Sequence, residues 1–327
     1  MRIVVCYPIE KRHYEQLAAA APGHEVVDAG QERIATELLE ADIFCGHAKV
    51  PVPWPEVVRR GRLKFIQSSA AGLDHCLTPE VIAAPIQVCS ASGLFADQVA
   101  EQTLALLLGL LRGLPVFFRA AQKKEFIRRP TLDLHGATVG IVGLGGNGRR
   151  LAEVLKPFRT RIIATDMYPV DKPDCVDELW PADALPRLLA DSHIVVLCVP
   201  FNTQTDGMIG AKELSLMRRG AVLINVARGQ VLREAALVAA LEAGHLAGAG
   251  LDVTEIEPLP ATSKLWDRPD VIITPHVGAQ SFRRVDDTTD LIAENLRRYL
   301  ANEPLYNLVD KTRGFPDPGV PRWRKGG

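Results

Sequence analysis

The sequence predicts an α/β protein of two doubly wound, parallel-sheet domains. Three observations carry this. Short β-branched runs alternate with longer helical stretches along most of the chain, and such alternation builds βαβ units. The alternation occurs in two series, separated by a long apolar helical stretch. The length of 327 residues suits two domains of roughly 100–200 residues each.

Ile3–Cys6 reads as a strand, and Lys11–Ala20 as a helix ended by Pro22 and Gly23. Glu25–Asp28, Glu32–Glu40 and Asp42–Cys45 repeat the strand–helix–strand pattern, and Leu63–Gln67 and Ile86–Cys89 add two strands. Right-handed crossovers then place helices on both sheet faces. Phe95 to about Phe118 reads as one long helix, apolar around most of its surface at Leu104, Leu106, Leu107, Leu108, Leu110 and Leu111. A helix of that kind is covered on every side, which places it between domains or between subunits. Pro115 is expected to kink or end it. The second series has strands at Ala137–Val142, Arg161–Thr165, His193–Val199, Ala221–Val226, Gly248–Val253 and Val271–Thr274. Helices fit at Gly148–Leu155, Lys212–Met217 and Arg233–Ala243, and a last one at about Phe282 to Leu300. The stretch from Lys311 to Gly327, with Pro316, Pro318 and Pro321, reads as an extended or poorly ordered tail.

Lys plus Arg total 38 against 39 for Asp plus Glu, a net charge of −1. Without a basic surplus or stripe, no nucleic-acid partner is expected. Six cysteines stand at positions 6, 45, 76, 89, 175 and 198, none in a C-x-x-C pair. They read as reduced thiols of a cytoplasmic protein, and no metal site is expected. The longest apolar run, Leu104–Leu111, is far short of the ~20 residues of a membrane span. The N-terminus offers no signal-peptide core.

Gly143-Leu144-Gly145-Gly146-Asn147-Gly148 spells G-x-G-x-x-G between a strand and a helix, and Asp166 ends the following strand. In a dinucleotide site Gly143 permits the tight turn, Gly145 lets the backbone approach the pyrophosphate, and Gly148 packs the helix closely. The helix N-terminus offers free N–H groups to the phosphates. The Asp166 carboxylate suits ribose hydroxyls and repels a 2′-phosphate, and no arginine follows it in Met167-Tyr168-Pro169. NAD is therefore favoured over NADP. Arg159 and Arg161, just before the acid, stand against that preference. A plain glycine turn is the competing reading.

Beyond the glycine loop, Ala70-Ala71-Gly72-Leu73-Asp74, Val99-Ala100-Glu101 with its leucine-rich run, Asn225-Val226-Ala227-Arg228-Gly229, Gly250-Leu251-Asp252-Val253 with Glu257-Pro258, and Thr274-Pro275-His276 follow in order. Together they resemble the D-isomer specific 2-hydroxyacid dehydrogenase family, which includes glyoxylate/hydroxypyruvate reductases and phosphoglycerate dehydrogenases. The resemblance implies a Rossmann NAD-binding domain, residues 96–284, inserted into a flavodoxin-like substrate domain of residues 1–95 and 285–327. It implies a homodimer formed through the NAD-binding domain.

It also implies a catalytic trio of Arg228, Glu257 and His276. Reducing a 2-oxo acid needs a proton on the carbonyl oxygen, and His276 can supply it, since an unperturbed imidazole titrates at about pH 6.5. Glu257 would orient the ring and favour its charged form. Arg228 offers a planar fork to the substrate carboxylate and the carbonyl oxygen. By the same resemblance Ala71 and Gly72 bind the carboxylate through backbone N–H groups. Gly146, Asn147, Val199, Val226, Arg228, Asp252, His276 and Gly278 join Gly143, Gly145, Gly148 and Asp166 around the cofactor. Phe95, Phe282 and Arg283 are candidates for the pocket wall. The remaining histidines read as surface or structural, including His75, although it lies just beyond the Ala70–Asp74 loop.

The chain departs from the family pattern at Asn147, usually Ile or Val, and at Ser90–Gly93, which lacks a frequent asparagine. Phe126–Pro130 also lacks a frequent tryptophan. The expected reaction is reversible reduction of a small 2-oxo acid, such as glyoxylate or hydroxypyruvate, to the D-2-hydroxy acid. Two alternatives stay open: phosphite or formate oxidation on the same scaffold, and an NAD-sensing corepressor-like module. Formate-specific members carry a glutamine where this chain has Pro275.

Overall fold

The computed structural model describes residues 1–168, 171–317 and 319–323. They form two units, Met1–Phe95 with Ser281–Gly327, and Ala96–Gln280. Each holds a parallel sheet flanked by helices, the architecture that the alternation predicts.

In the first unit β1 (Arg2–Cys6), β2 (Glu25–Asp28), β3 (Ile43–Gly46), β4 (Phe65–Ser68) and β5 (Gln87–Cys89) pair in the order β2-β1-β3-β4-β5. The central strands β1, β3 and β4 are almost wholly buried because both faces of the sheet are covered. The two-residue period sorts them. Val4, Phe44, Ile66 and Val88 enter one core, and Ile3, Val5, Ile43, Cys45 and Phe65 enter the other. The helix Arg284–Leu300 closes the second core with Ile292 and Leu296.

In the second unit β6 (Thr138–Val142), β7 (Arg161–Asp166), β8 (Glu178–Pro181), β9 (Ile194–Leu197), β10 (Ala221–Asn225), β11 (Leu246–Leu251) and β12 (Val271–Ile273) pair in the order β12-β11-β10-β9-β6-β7-β8. This is the dinucleotide-binding order, 3-2-1-4-5-6, with a seventh strand added. Val139, Ile141, Val196, Val222 and Ile224 face the core that holds Leu106, Leu107 and Leu111, while Val195, Leu197, Leu223 and Ala249 face the opposite one.

The long apolar helix differs from expectation. It is two helices, Ala96–Leu111 and Leu114–Gln122, meeting at 66°. Gly113, at φ +69°, makes the break, and Pro115 sits in the first turn of the second helix. A proline is tolerated there because that N–H has no helical acceptor. No single helix among the described residues is long and apolar enough to cross a membrane.

Three further differences have local causes. β8 was not foreseen, since its residues are half-buried or exposed and Pro181 ends it at the sheet edge. The last helix begins at Arg284 rather than Phe282, and Phe282 is fully exposed. The described part of the tail is folded, not loose. Val309–Asp310 (β13) pairs with Phe315–Pro316 (β14), Lys311 Nζ donates to the Val81 carbonyl at 3.0 Å, and Trp323 meets the Tyr306 ring edge-on. Pro169, Pro318 and the stretch 324–327, which belong to the expectations above, lie outside the described residues.

All six cysteines are free thiols. Burial pushes Cys6 up to about 11 and Cys198 up to about 12, so both stay protonated at neutral pH.

Candidate active site

The residues expected to carry chemistry in the second unit follow the carboxy ends of its strands. Gly143 follows β6, Asp166 ends β7, Val199 follows β9, Arg228 follows β10, Glu257 follows β11 and His276 follows β12. Open α/β sheets bind ligands along that edge.

The glycine loop is built by close approach. A Cβ on Gly148 would stand 2.1 Å from the Gly143 carbonyl oxygen, so the helix Gly146–Leu155 starts against the turn only with glycine there. Gly145 is different. Its φ of −74° suits any residue, and a Cβ there would meet nothing within 4 Å. The fold gives no internal reason for glycine at 145, whereas a phosphate resting on the backbone does. Gly145 and Gly148 thus leave backbone at the start of this helix that a phosphate could approach. Asp166 is tied to this loop, Oδ2 accepting from Leu144 N–H at 2.7 Å and Oδ1 from Tyr168 N–H at 3.0 Å. An ionised carboxylate has about four acceptor positions, which leaves capacity for ribose hydroxyls.

His276 Nδ1 lies 2.9 Å from Glu257 Oε2, both side chains being partly exposed. Burial works to raise the Glu257 carboxyl, but the His276 hydrogen bond and charge, the Thr254 N–H at 3.2 Å and the Arg228 charge outweigh it. Glu257 is held below the usual carboxylate range and stays ionised beside the imidazole. Arg228 sits on a loop pinned by the fully buried Asn225, whose Nδ2 donates to the Arg228 carbonyl at 3.1 Å and whose Oδ1 accepts from Ala227 N–H at 3.0 Å. A Cβ on Gly229 would stand 1.7 Å from the Thr254 carbonyl oxygen. That contact sets the Arg228 turn directly against the segment leading to Glu257.

Asp252, expected near the cofactor, is 3% exposed and turned toward the loop that carries His276. Oδ1 accepts from Thr274 Oγ1 at 2.7 Å and Val277 N–H at 3.0 Å, and Oδ2 from Gly278 N–H at 2.8 Å. Gln102 Nε2 donates to Thr274 Oγ1 at 2.8 Å. These bonds fix His276 at a φ of +55°, uncommon for a residue with a side chain. Gln102 was missed by sequence reasoning, because its role depends on a contact 172 positions along the chain.

In the first unit, Ala71 is exposed and Gly72 half-buried on the loop after β4. Ser68 Oγ donates to the Ala70 carbonyl at 3.1 Å and accepts from Ala70 N–H at 3.0 Å, and Ala91 N–H donates to the Ala70 carbonyl at 3.0 Å. The Ser90–Gly93 loop is held by an asparagine from far along the chain. The buried Asn307 Nδ2 donates to the Ser90 and Ser92 carbonyls at 3.1 and 3.0 Å. His75 stacks on His47 with ring centroids 3.9 Å apart. Arg284, not Arg283, covers the Phe95 ring at 5.0 Å, and Arg283 reaches toward Asp287.

With that geometry established, comparisons place the chain among known proteins. The profile of the D-isomer specific 2-hydroxyacid dehydrogenase NAD binding domain matches residues 104–278. A glyoxylate reductase of Pyrococcus horikoshii is 33% identical over 261 residues, covering 76% of this chain and 77% of that protein. A glycerate dehydrogenase of Methylorubrum extorquens is 30% identical over 289 residues, covering 85% and 88%. Among solved structures, a D-isomer specific 2-hydroxyacid dehydrogenase from Xanthobacter autotrophicus in complex with NADPH and MES is similar with a TM-score of 0.82. It is 32% identical, and the match covers 96% of this chain and 99% of that one.

Proposed function

Because the chain belongs to the D-isomer specific 2-hydroxyacid dehydrogenase family, we propose that it reversibly reduces a small 2-oxo acid of the glyoxylate or hydroxypyruvate kind to the D-2-hydroxy acid. It is a nicotinamide-dependent oxidoreductase of 2-hydroxy acids. The observation that carries the finer reading is the 2.9 Å contact between His276 Nδ1 and Glu257 Oε2. It leaves Nε2 as the proton-bearing atom for the substrate.

When bound, the reduced nicotinamide supplies a hydride to the carbonyl carbon. His276, oriented by Glu257, gives its Nε2 proton to the carbonyl oxygen. Arg228 binds the carboxylate and stabilises the negative charge that develops on that oxygen. In the oxidative direction His276 starts neutral and takes the proton. Ala71 and Gly72 are proposed to bind a carboxylate through their N–H groups, in keeping with the exposure of that loop.

Glu257→Gln is expected to lower kcat/KM for reduction about tenfold or more, since the imidazole loses the carboxylate that orients it. The Glu257 carboxyl is held below its usual range, so in the unaltered protein this support persists into mildly acidic solution. Steady-state kinetics on the two proteins checks this, and an unchanged kcat/KM contradicts it.

We propose NAD as the preferred cofactor, supported by the anionic Asp166 against the glycine loop. Val199, Val226, Asp252 and Gly278 complete the proposed cofactor contacts. Gly145→Ala is expected to keep the melting temperature within a few degrees, since its Cβ enters open space. It should weaken NADH binding by about tenfold or more, a loss of roughly 1.4 kcal/mol. Paired thermal and calorimetric titrations read both. An undiminished NADH affinity would remove the phosphate from this loop.

A homodimer formed through the second unit is proposed as well. Leu114, Phe118, Phe126, Ile127 and Leu132 are exposed there, Phe118 at 64% and Phe126 at 91%. These exposed apolar side chains support that reading.

A further inference from the structure

We propose that Arg149 and Asp171 form a determinant of cofactor choice separate from Asp166: a guanidinium shaped to take a 2′-phosphate, with a carboxylate competing for the same donors. The inference rests on the dinucleotide reading of the glycine loop and deepens it. Arg149 follows Gly148 on the helix Gly146–Leu155. Its Nε donates to the Leu144 carbonyl at 3.1 Å, while Leu144 N–H is the group held by Asp166 at 2.7 Å. Arg149 and Asp166 therefore grip one residue of the loop, through its carbonyl and its N–H.

The rest of the fork faces Asp171. Nη2 lies 3.0 Å from Oδ1 and 2.7 Å from the Asp171 carbonyl, and Nη1 lies 3.3 Å from Oδ2. The two partners are unequal. The Arg149 side chain is 28% exposed and anchored to the loop, whereas that of Asp171 is 91% exposed. The hydrogen bond and charge of Arg149 hold the Asp171 carboxyl below its usual range, so it is an anion at neutral pH. An ion pair so open to water contributes little, and a phosphate, with greater charge and three acceptor oxygens, is the stronger partner for a planar fork. As built, Asp171 occupies the guanidinium and Asp166 sits on the N–H of the same loop residue, an arrangement that disfavours a 2′-phosphate. Without Asp171 the fork opens. The segment after Asp166 hides this arginine from sequence reading because it precedes the acid in the chain.

Calorimetric titration with NADH and with NADPH tests the proposal on the intact protein, Asp171→Ala, Arg149→Gln and the double variant. Asp171→Ala is expected to lower the NADPH-to-NADH ratio of dissociation constants by about five- to tenfold, the scale of one charge-assisted fork. The shift should shrink at high salt. Arg149→Gln is expected to raise the ratio and to cancel the gain in the double variant. Arg149→Lys, which keeps the charge without the fork, should fall between. A ratio unmoved by Asp171→Ala, or a gain that survives in the double variant, would overturn the proposal while leaving the cofactor reading intact. Failure of the unaltered protein to bind either dinucleotide would overturn both.

Discussion

His276→Gln is expected to lower kcat for 2-oxo acid reduction by about three orders of magnitude, the middle of what a positioned general acid contributes. Glutamine can donate a hydrogen bond but cannot give up a proton at neutral pH. The imidazole is held on one side by Glu257 at 2.9 Å, and its backbone by the Asp252 carbonyl at 2.7 Å. The loop does not depend on the ring for its bonds, because Asp252 holds Val277 and Gly278 through their backbones. The variant should therefore melt within a few degrees of the parent. Steady-state kinetics beside a thermal scan separates the two effects. Retention of a tenth of the activity would remove His276 from the acid role.

Gly229→Ala is expected to have the largest effect on stability. The added carbon would stand 1.7 Å from the Thr254 carbonyl oxygen, 2.0 Å from its carbon and 2.6 Å from the Glu255 nitrogen. All three are backbone atoms, so no side chain can swing aside. Forcing β10's following turn away from the Thr254 segment should cost on the order of 3 kcal/mol, the upper end for overpacking. It also displaces Arg228 from Glu257, so activity should fall even where the protein folds. Urea unfolding and kinetics on one preparation check both parts. Gly145→Ala is the contrast, because its Cβ meets nothing within the protein. The glycines after β6 and β10 are thus expected to fail differently, one in binding and one in folding.

The parallel sheets were legible because buried parallel strands spell continuous apolar runs, as Ile3–Cys6 and Ile194–Leu197 do. β8 escaped because its Glu-Leu-Trp-Pro run sits half-exposed at an edge and carries no such signal. The single helix expected across Phe95–Phe118 failed on a choice between breakers. Pro115 drew attention, but Gly113 at φ +69° supplied the turn. In the tail, prolines suggested looseness, yet the Asn307 N–H donates to the Pro321 carbonyl at 2.9 Å and its side chain holds the Ser90–Ser92 loop. The side-chain contacts join segments more than 200 positions apart and leave no local pattern. At the site the loop residues stood out by type and order. Their supports, Gln102 on Thr274, Asn225 under Arg228 and Arg149 on Leu144, did not, because each is an ordinary polar residue until folding gives it a partner.

The most direct test of the proposed reaction is turnover of glyoxylate, hydroxypyruvate and pyruvate with reduced nicotinamide, followed by chiral analysis of any product that has a stereocentre. The predicted result is rapid oxidation of NADH by at least one of these acids, with the D-2-hydroxy acid as product wherever chirality can be read. Tight NADH binding without turnover of any of them, or formation of the L-isomer, would contradict the account.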